Sequence, residues 1–203
     1  MAETPHGRRK RFPMKHTVGI LAVQGAFAEH EQVLRKLGCD CIELRGAEDV
    51  HERFDALVLP GGESTVQGKL LVDLGMLDEL KHRITEGMPV LGTCAGLILL
   101  AQEVEPCDLA RKGFGTLPVT VRRNAYGRQL GSFRTHAEFG GLGRVPMTFI
   151  RAPFITCAAD EDVLARVDGN IVAVRHGNQI GTAFHPELDA DDSIHRLFLS
   201  LVR

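Results

Sequence analysis

The stretch Met88-Pro89-Val90-Leu91-Gly92-Thr93-Cys94-Ala95-Gly96-Leu97-Ile98-Leu99-Leu100-Ala101 passes from an apolar, strand-like run through glycine-x-cysteine-x-glycine into an apolar, helix-like run. A strand that turns at once into a helix forces the residue at the turn into a strained backbone conformation. A glycine two positions away on each side removes the Cβ atoms that would clash. The pattern predicts a nucleophile elbow, with the thiol of Cys94 exposed at the edge of a sheet. There the unpaired N–H groups and positive dipole end of the following helix favour the thiolate, the form that attacks a carbonyl. With five cysteines and 22 glycines among 203 residues, chance supplies about 0.06 such matches, even before the strand-then-helix context is required.

Outward from the elbow, the pattern alternates. Residues 17–23 read as a buried strand, 28–37 as an amphipathic helix stopped by Gly38, 39–44 as a second strand and 56–59 as a third. A helical region over 65–86, interrupted near Gly75, leads to the Cys94 strand and its helix, 97–101. Such a βαβ order implies a parallel sheet covered on both faces. After Gly113 the character turns to β, with strands expected at 117–122, 148–151, 155–158, 163–167 and 171–175. Asp168-Gly169-Asn170 and His176-Gly177-Asn178 read as hairpin turns. A helix over 191–202 closes the chain, with Ile194, Leu197, Phe198 and Leu201 as its core stripe. The expected class is α/β: a flavodoxin-like three-layer sandwich with a mostly parallel central sheet and added antiparallel hairpin strands.

A thiol nucleophile needs a base, and the base needs a third group to orient it. His185-Pro186-Glu187 and His136-Ala137-Glu138 both offer His-x-Glu. Spacing alone is weak, since about 0.6 accidental pairs are expected. Ile180-Gly181-Thr182-Ala183-Phe184 reads as a strand running into His185, which places that histidine at a strand end, where ligands of open α/β sheets bind. Pro186 stiffens the loop. His185 is therefore read as the base and Glu187 as its orienting carboxylate, whereas His136, with no apolar strand before it, is read as a solvated loop histidine.

The segment Asp55-Ala56-Leu57-Val58-Leu59-Pro60-Gly61-Gly62-Glu63-Ser64-Thr65 reads as a buried strand, a glycine turn and a helix start. Acyl transfer passes through an oxyanion that needs preorganised donors, and losing one costs about 2.7–4 kcal/mol. Gly62 N–H and Ala95 N–H are the candidates. The plainer alternative is an ordinary βα turn capped by Ser64.

Together these residues resemble the class I glutamine amidotransferase glutaminases, most closely the branch serving pyridoxal 5′-phosphate synthesis. The resemblance rests on Leu21-Ala22-Val23-Gln24-Gly25 with Glu29-His30, Pro60 to Thr65, Gly92 to Gly96, Arg123-Asn124 with Gly127-Arg128-Gln129, Phe149-Ile150-Arg151-Ala152-Pro153 and Phe184 to Leu188, in the family's order. It implies Cys94 as nucleophile, completed by His185 and Glu187. It further implies that L-glutamine is held by Gly62, Glu63, Ser64, Arg123, Ile150 and Arg151; an arginine suits an α-carboxylate because its planar fork pairs bidentately. Taken without the resemblance, Arg123 reads as an exposed strand arginine and Arg151 as part of a surface ion pair. The implied product is ammonia, passed to the synthase subunit of pyridoxal 5′-phosphate synthase, a (β/α)₈ barrel met near Gln24 and Gly25. Arg134 and His136 stand where relatives are expected to be more acidic.

Composition fits one α/β domain: 203 residues, 44% apolar, net charge −2. Residues 1–15, with Arg8-Arg9-Lys10-Arg11, are expected to be a disordered basic leader, and 16–203 the glutaminase domain. No apolar run reaches the roughly 20 residues of a membrane helix, and no secretory h-region is present. No basic excess points to nucleic acid. Five cysteines, an odd number, suit reduced thiols in the cytoplasm better than a disulfide framework. Cys39 and Cys41 read as packing, and neither metal nor cofactor is expected. Two other readings stand beside this one: a glutaminase feeding a different class I acceptor, and a non-catalytic redox sensor of flavodoxin-like fold built on the elbow cysteine.

Overall fold

The computed structural model describes residues 16–107, 112–123 and 132–202. In chain order, β1 (Thr17–Leu21), α1 (Phe27–Lys36), β2 (Asp40–Leu44), β3 (Ala56–Leu59), α2 (Ser64–Asp73), α3 (Leu77–Thr85), β4 (Val90–Thr93) and α4 (Ala95–Leu100) form the first half. The second half holds β5 (Ala101–Glu105), β6 (Leu117–Arg122), β7 (Ser132–Phe139), β8 (Gly143–Ile150), β9 (Phe154–Cys157), β10 (Val163–Val167), β11 (Asn170–His176), β12 (Gln179–Thr182) and α5 (Ser193–Leu199).

Five parallel strands in the order β2-β1-β3-β4-β12 make the half of the sheet that carries the site. Every residue of β3 and β4 is buried, as expected of central strands covered on both faces. The chain steps from β1 to β2 in one direction and from β3 to β4 in the other. Right-handed crossovers therefore place α1 on one face and α2 with α3 on the opposite one. The packing agrees: α1 lies against the 3₁₀ turn Pro186–Leu188, while α2 lies against α4. From β12 onward the sheet turns antiparallel through β11, β10, β7 and β8, and β9 joins the β5–β6 pair to β11. The β10–β11 turn holds positive φ at both Asp168 and Gly169, the twist a tight hairpin demands.

The expected helix over 65–86 is two helices, broken at Gly75, and the closing helix is shorter than 191–202 because only Ser193–Leu199 is helical. Three expectations need correction. The apolar run after Cys94 stops being helix at Leu100, and Ala101 opens β5 beside β6. His136 is exposed, but it lies inside β7 and pairs with Pro146 of β8. The interval 148–151 is only the end of β8. Strand β7 alternates exposed and half-buried positions, with Phe133, Ala137 and Phe139 inward. Its period of two is carried by few large apolar side chains. The basic leader at 1–15 and the motif residues Asn124, Gly127, Arg128 and Gln129 lie outside the described residues.

Candidate active site

Neighbouring parallel strands bring the two halves of the site together. Thr93 of β4 pairs with Thr182 of β12, and the Cys94 N–H donates to the Thr182 carbonyl at 2.7 Å. Cys94 and His185 are thus delivered one and three residues beyond the same level of the sheet. Cys94 has φ +49° and ψ −98°, outside the regions favoured by L-residues. The flanking glycines have a steric cause: a Cβ on Gly96 would run into the Leu59 carbonyl, and one on Gly92 would press on Leu100 at 2.7 Å. Cys94 is not exposed at the sheet's edge, as expected from sequence, but only 6% accessible. It lies in a cavity that it shares with Gly61, Gly62, Ile150, Arg151 and His185.

His185 Nδ1 hydrogen-bonds Glu187 Oε1 at 2.7 Å, both side chains being almost wholly buried. The backbone N–H of His185 is fixed by the Thr148 carbonyl of β8 at 2.8 Å. Burial by itself would lower the His185 pKa; hydrogen bonds and charge from Cys94 and Glu187 overcome it and push the value up to about 10. Burial opposes ionisation of Glu187, yet His30 and His185, facing its two oxygens, hold it below the usual carboxylate range.

A cavity of about 460 Å³ opens onto this pair and is lined by Gln24, Gly25, Ala26, Gly61, Gly62, Glu63, Ser64, Cys94, Ile98, Arg123, Ile150, Arg151 and His185. It gathers residues from the ends of β1, β3, β4, β6, β8 and β12. Of the residues singled out from sequence, Gly62, Glu63, Ser64, Cys94, Arg123, Ile150, Arg151 and His185 line it. Glu187 stands behind His185, and Ala95 is buried at the first position of α4. Glu63, not Ser64, caps α2: its carboxylate accepts from Thr65 N at 3.2 Å and Val66 N at 2.8 Å. Burial would raise the Glu63 pKa, but those two N–H groups, together with the Thr65 hydroxyl and the Arg123 charge, hold it below its ordinary value. Arg123 sits just past β6, half-buried, and its Nη1 donates to Thr65 Oγ1 at 3.1 Å. Arg151 occupies φ +43°, an uncommon conformation at the cavity wall.

Sequence reasoning missed the bracing of the glycine turn. Gln24 Oε1 accepts from Glu63 N at 2.9 Å, while the buried Gln67 donates Nε2 to the Gln24 carbonyl at 2.9 Å and the Pro60 carbonyl at 3.2 Å. It also missed His30 and His195, both fully buried behind Glu187. A signal existed for His30, since it falls four residues before Leu34 on the buried stripe of α1. Cys39 is buried, and burial pushes the half-buried Cys41 thiol up to about 11, as suits packing thiols.

The SNO glutamine amidotransferase family model matches residues 20–203. The chain belongs to that family. Among curated relatives, "Pyridoxal 5'-phosphate synthase subunit PdxT" of Desulfitobacterium hafniense is 59% identical over 186 residues, covering 91% of this chain and 92% of the relative. The protein of the same name from Methanocorpusculum labreanum is 51% identical over 186 residues, covering 91% and 97%. A solved structure described as "Crystal structure of glutamine amidotransferase" superimposes with a TM-score of 0.85 at 43% identity, covering 91% of this chain and 98% of that one. PurLQS from Thermotoga maritima shares the fold at 15% identity, with a TM-score of 0.67 over 94% of this chain and 100% of that one. Among the described residues, no helix is long and apolar enough to cross a membrane.

Proposed function

We propose that residues 16–203 form the glutaminase subunit of a pyridoxal 5′-phosphate synthase and hydrolyse the side-chain amide of L-glutamine in the cavity above Cys94. The observation that carries this reading is the meeting, in one cavity, of a strained cysteine, the His185 ring held by buried Glu187, and the arginines 123 and 151. The high value of His185 marks the ring as an imidazolium at neutral pH, the state that pairs with a thiolate.

The sulfur of Cys94 attacks the amide carbon, and the carbonyl oxygen becomes an oxyanion held by the N–H groups of Gly62 and Ala95. His185 gives its proton to the departing nitrogen, so ammonia leaves and a γ-glutamyl thioester remains. His185, now neutral, takes a proton from water, whose oxygen attacks the thioester carbon; glutamate leaves and the sulfur is restored. Glu187 keeps the ring oriented and its charge balanced throughout. Glu63 acts by holding the N-terminus of α2, and with it Ser64, against the substrate, while Arg123 and Arg151 take the α-carboxylate and Ile150 closes the wall. Ammonia released into water is protonated and ceases to be a nucleophile, so the reaction has value when a cytoplasmic barrel-shaped synthase subunit receives it directly.

Glutamate release by the chain alone, and by the chain mixed with a barrel-shaped pyridoxal 5′-phosphate synthase subunit, tests this. Turnover that rises sharply with the subunit supports it. No glutamate in either case, or equal rates in both, overturns it.

A further inference from the structure

The proposed reaction leaves two fully buried histidines without a role. His30 on α1 and His195 on α5 come from opposite ends of the chain, yet His30 Nδ1 lies 3.0 Å from His195 Nε2. The other ring nitrogen of His30, Nε2, lies 3.3 Å from Glu187 Oε2 and 3.2 Å from Thr93 Oγ1, next to the elbow. Glu187 Oε2 is buried and makes no well-formed hydrogen bond among the described residues. Such contacts are commonly long in a resting site and tighten on the way to the transition state.

We propose that His30 is a positioning residue that steadies the second oxygen of Glu187 through an Nε2–H donor, and that His195 fixes the tautomer that makes this possible. One arrangement of protons serves Oε2. An ionised Glu187 only accepts, so the proton that serves Oε2 sits on His30 Nε2. Burial lowers the pKa of both His30 and His195, so each ring is neutral near pH 7. His30 Nδ1 then has a lone pair and accepts from His195 Nε2–H, which leaves His195 Nδ1 bare; that atom is buried and has no hydrogen-bond partner among the described residues. The other charged or titratable groups facing these rings are His185, Glu29 and Asp192. With His30 in place, each carboxylate oxygen of Glu187 faces an imidazole, and the residue cannot swing away when His185 gives up its proton.

The kinetic arm of the test rests on the glutaminase reading, whereas the spectroscopic arm does not. In the ¹⁵N-histidine-labelled full chain at pH 7, His30 is expected as the Nε2–H tautomer with an unprotonated, hydrogen-bonded Nδ1. An Nδ1–H tautomer overturns the proposal even if the enzyme turns over. In the complex with the synthase subunit, His30→Phe is expected to lower kcat at least about tenfold with KM within about twofold, and to move the acid limb of the kcat profile to higher pH. His30→Gln, which keeps a donor near the Nε2 position, is expected to recover most of that loss, and His195→Phe to fall between the two. A folded His30→Phe with wild-type kcat and pH profile, or a His30→Gln as impaired as His30→Phe, overturns it. Should His30→Phe not fold, the tautomer and His30→Gln decide. Absence of glutamate release from the wild-type complex would instead sink the glutaminase reading and leave the tautomer result standing.

Discussion

His185 and Glu187 are joined by a 2.7 Å hydrogen bond between Nδ1 and Oε1, made across the single proline that separates them. This geometry leaves Nε2 for the sulfur side of the ring. Glu187→Gln keeps the shape but removes the charge and offers an amide that favours the wrong tautomer. A loss in kcat of about 10⁴-fold is expected, with KM little changed, measured as steady-state glutamate release in the presence of the synthase subunit.

Cys94→Ala removes the proposed attacking atom and, because alanine fills less of the same space, should leave the fold intact. Glutaminase activity and labelling by a glutamine-derived electrophile should both vanish, while association with the synthase subunit, followed by ultracentrifugation, should persist. Labelling retained at another cysteine would refute the assignment.

A Cβ on Gly61 would collide with the ring of His185. Gly61→Ala should therefore displace the ring proposed as the base while leaving the core untouched. A misplacement of this size costs about 10²-fold in kcat, and the thermal midpoint should stay close to that of the wild type. An unaltered kcat would show that the turn is not pressed against the imidazole.

The pH dependence of stability has a definite sign. The folded state raises the His185 pKa to about 10, so the stabilisation from its partners is complete below the ordinary value of 6.5 and fades as the pH climbs through 10. The difference in Tm between wild type and His185→Gln should be largest near pH 6 and shrink steadily toward pH 10. A gap that stays constant across that window would mean the ring carries no bound proton.

Arg123 reaches the cavity, where its Nη1 donates to the hydroxyl of Thr65. Removing a charged partner of the substrate carboxylate costs about 1.5–3 kcal/mol, so Arg123→Ala should raise KM by about one to two orders of magnitude, with a smaller effect on kcat. Initial rates against glutamine concentration settle it.

Much of this architecture was legible in residues 17–94, because buried parallel strands such as β3 and β4 read as unbroken apolar runs and Gly75 marks the break between α2 and α3. The elbow and the His185–Glu187 pair were legible too, since backbone strain and strand-end position leave local marks. Strand β7 was not: between the inward Phe133 and Phe139 stand the polar Thr135 and the small Ala137, so the apolar alternation is broken until its partner β8 is known. The burial of Cys94 was equally hidden, because the turn at Gly61 and the end of β8, which line the same cavity, meet it only in three dimensions. His30 and His195 illustrate the same limit: 165 positions apart in the chain, they acquire meaning as a pair only through the packing that brings them together.

The position of β12, wedged between β4 and β11, also sets the order in which reactivity appears during synthesis. When Cys94 leaves the ribosome, the strand that carries its imidazole has yet to be translated, and the sulfur is an unassisted thiol. Until β12 stands between β4 and β11, His185 has no fixed place beside Cys94, so the proposed reaction waits on the last strand of the sheet.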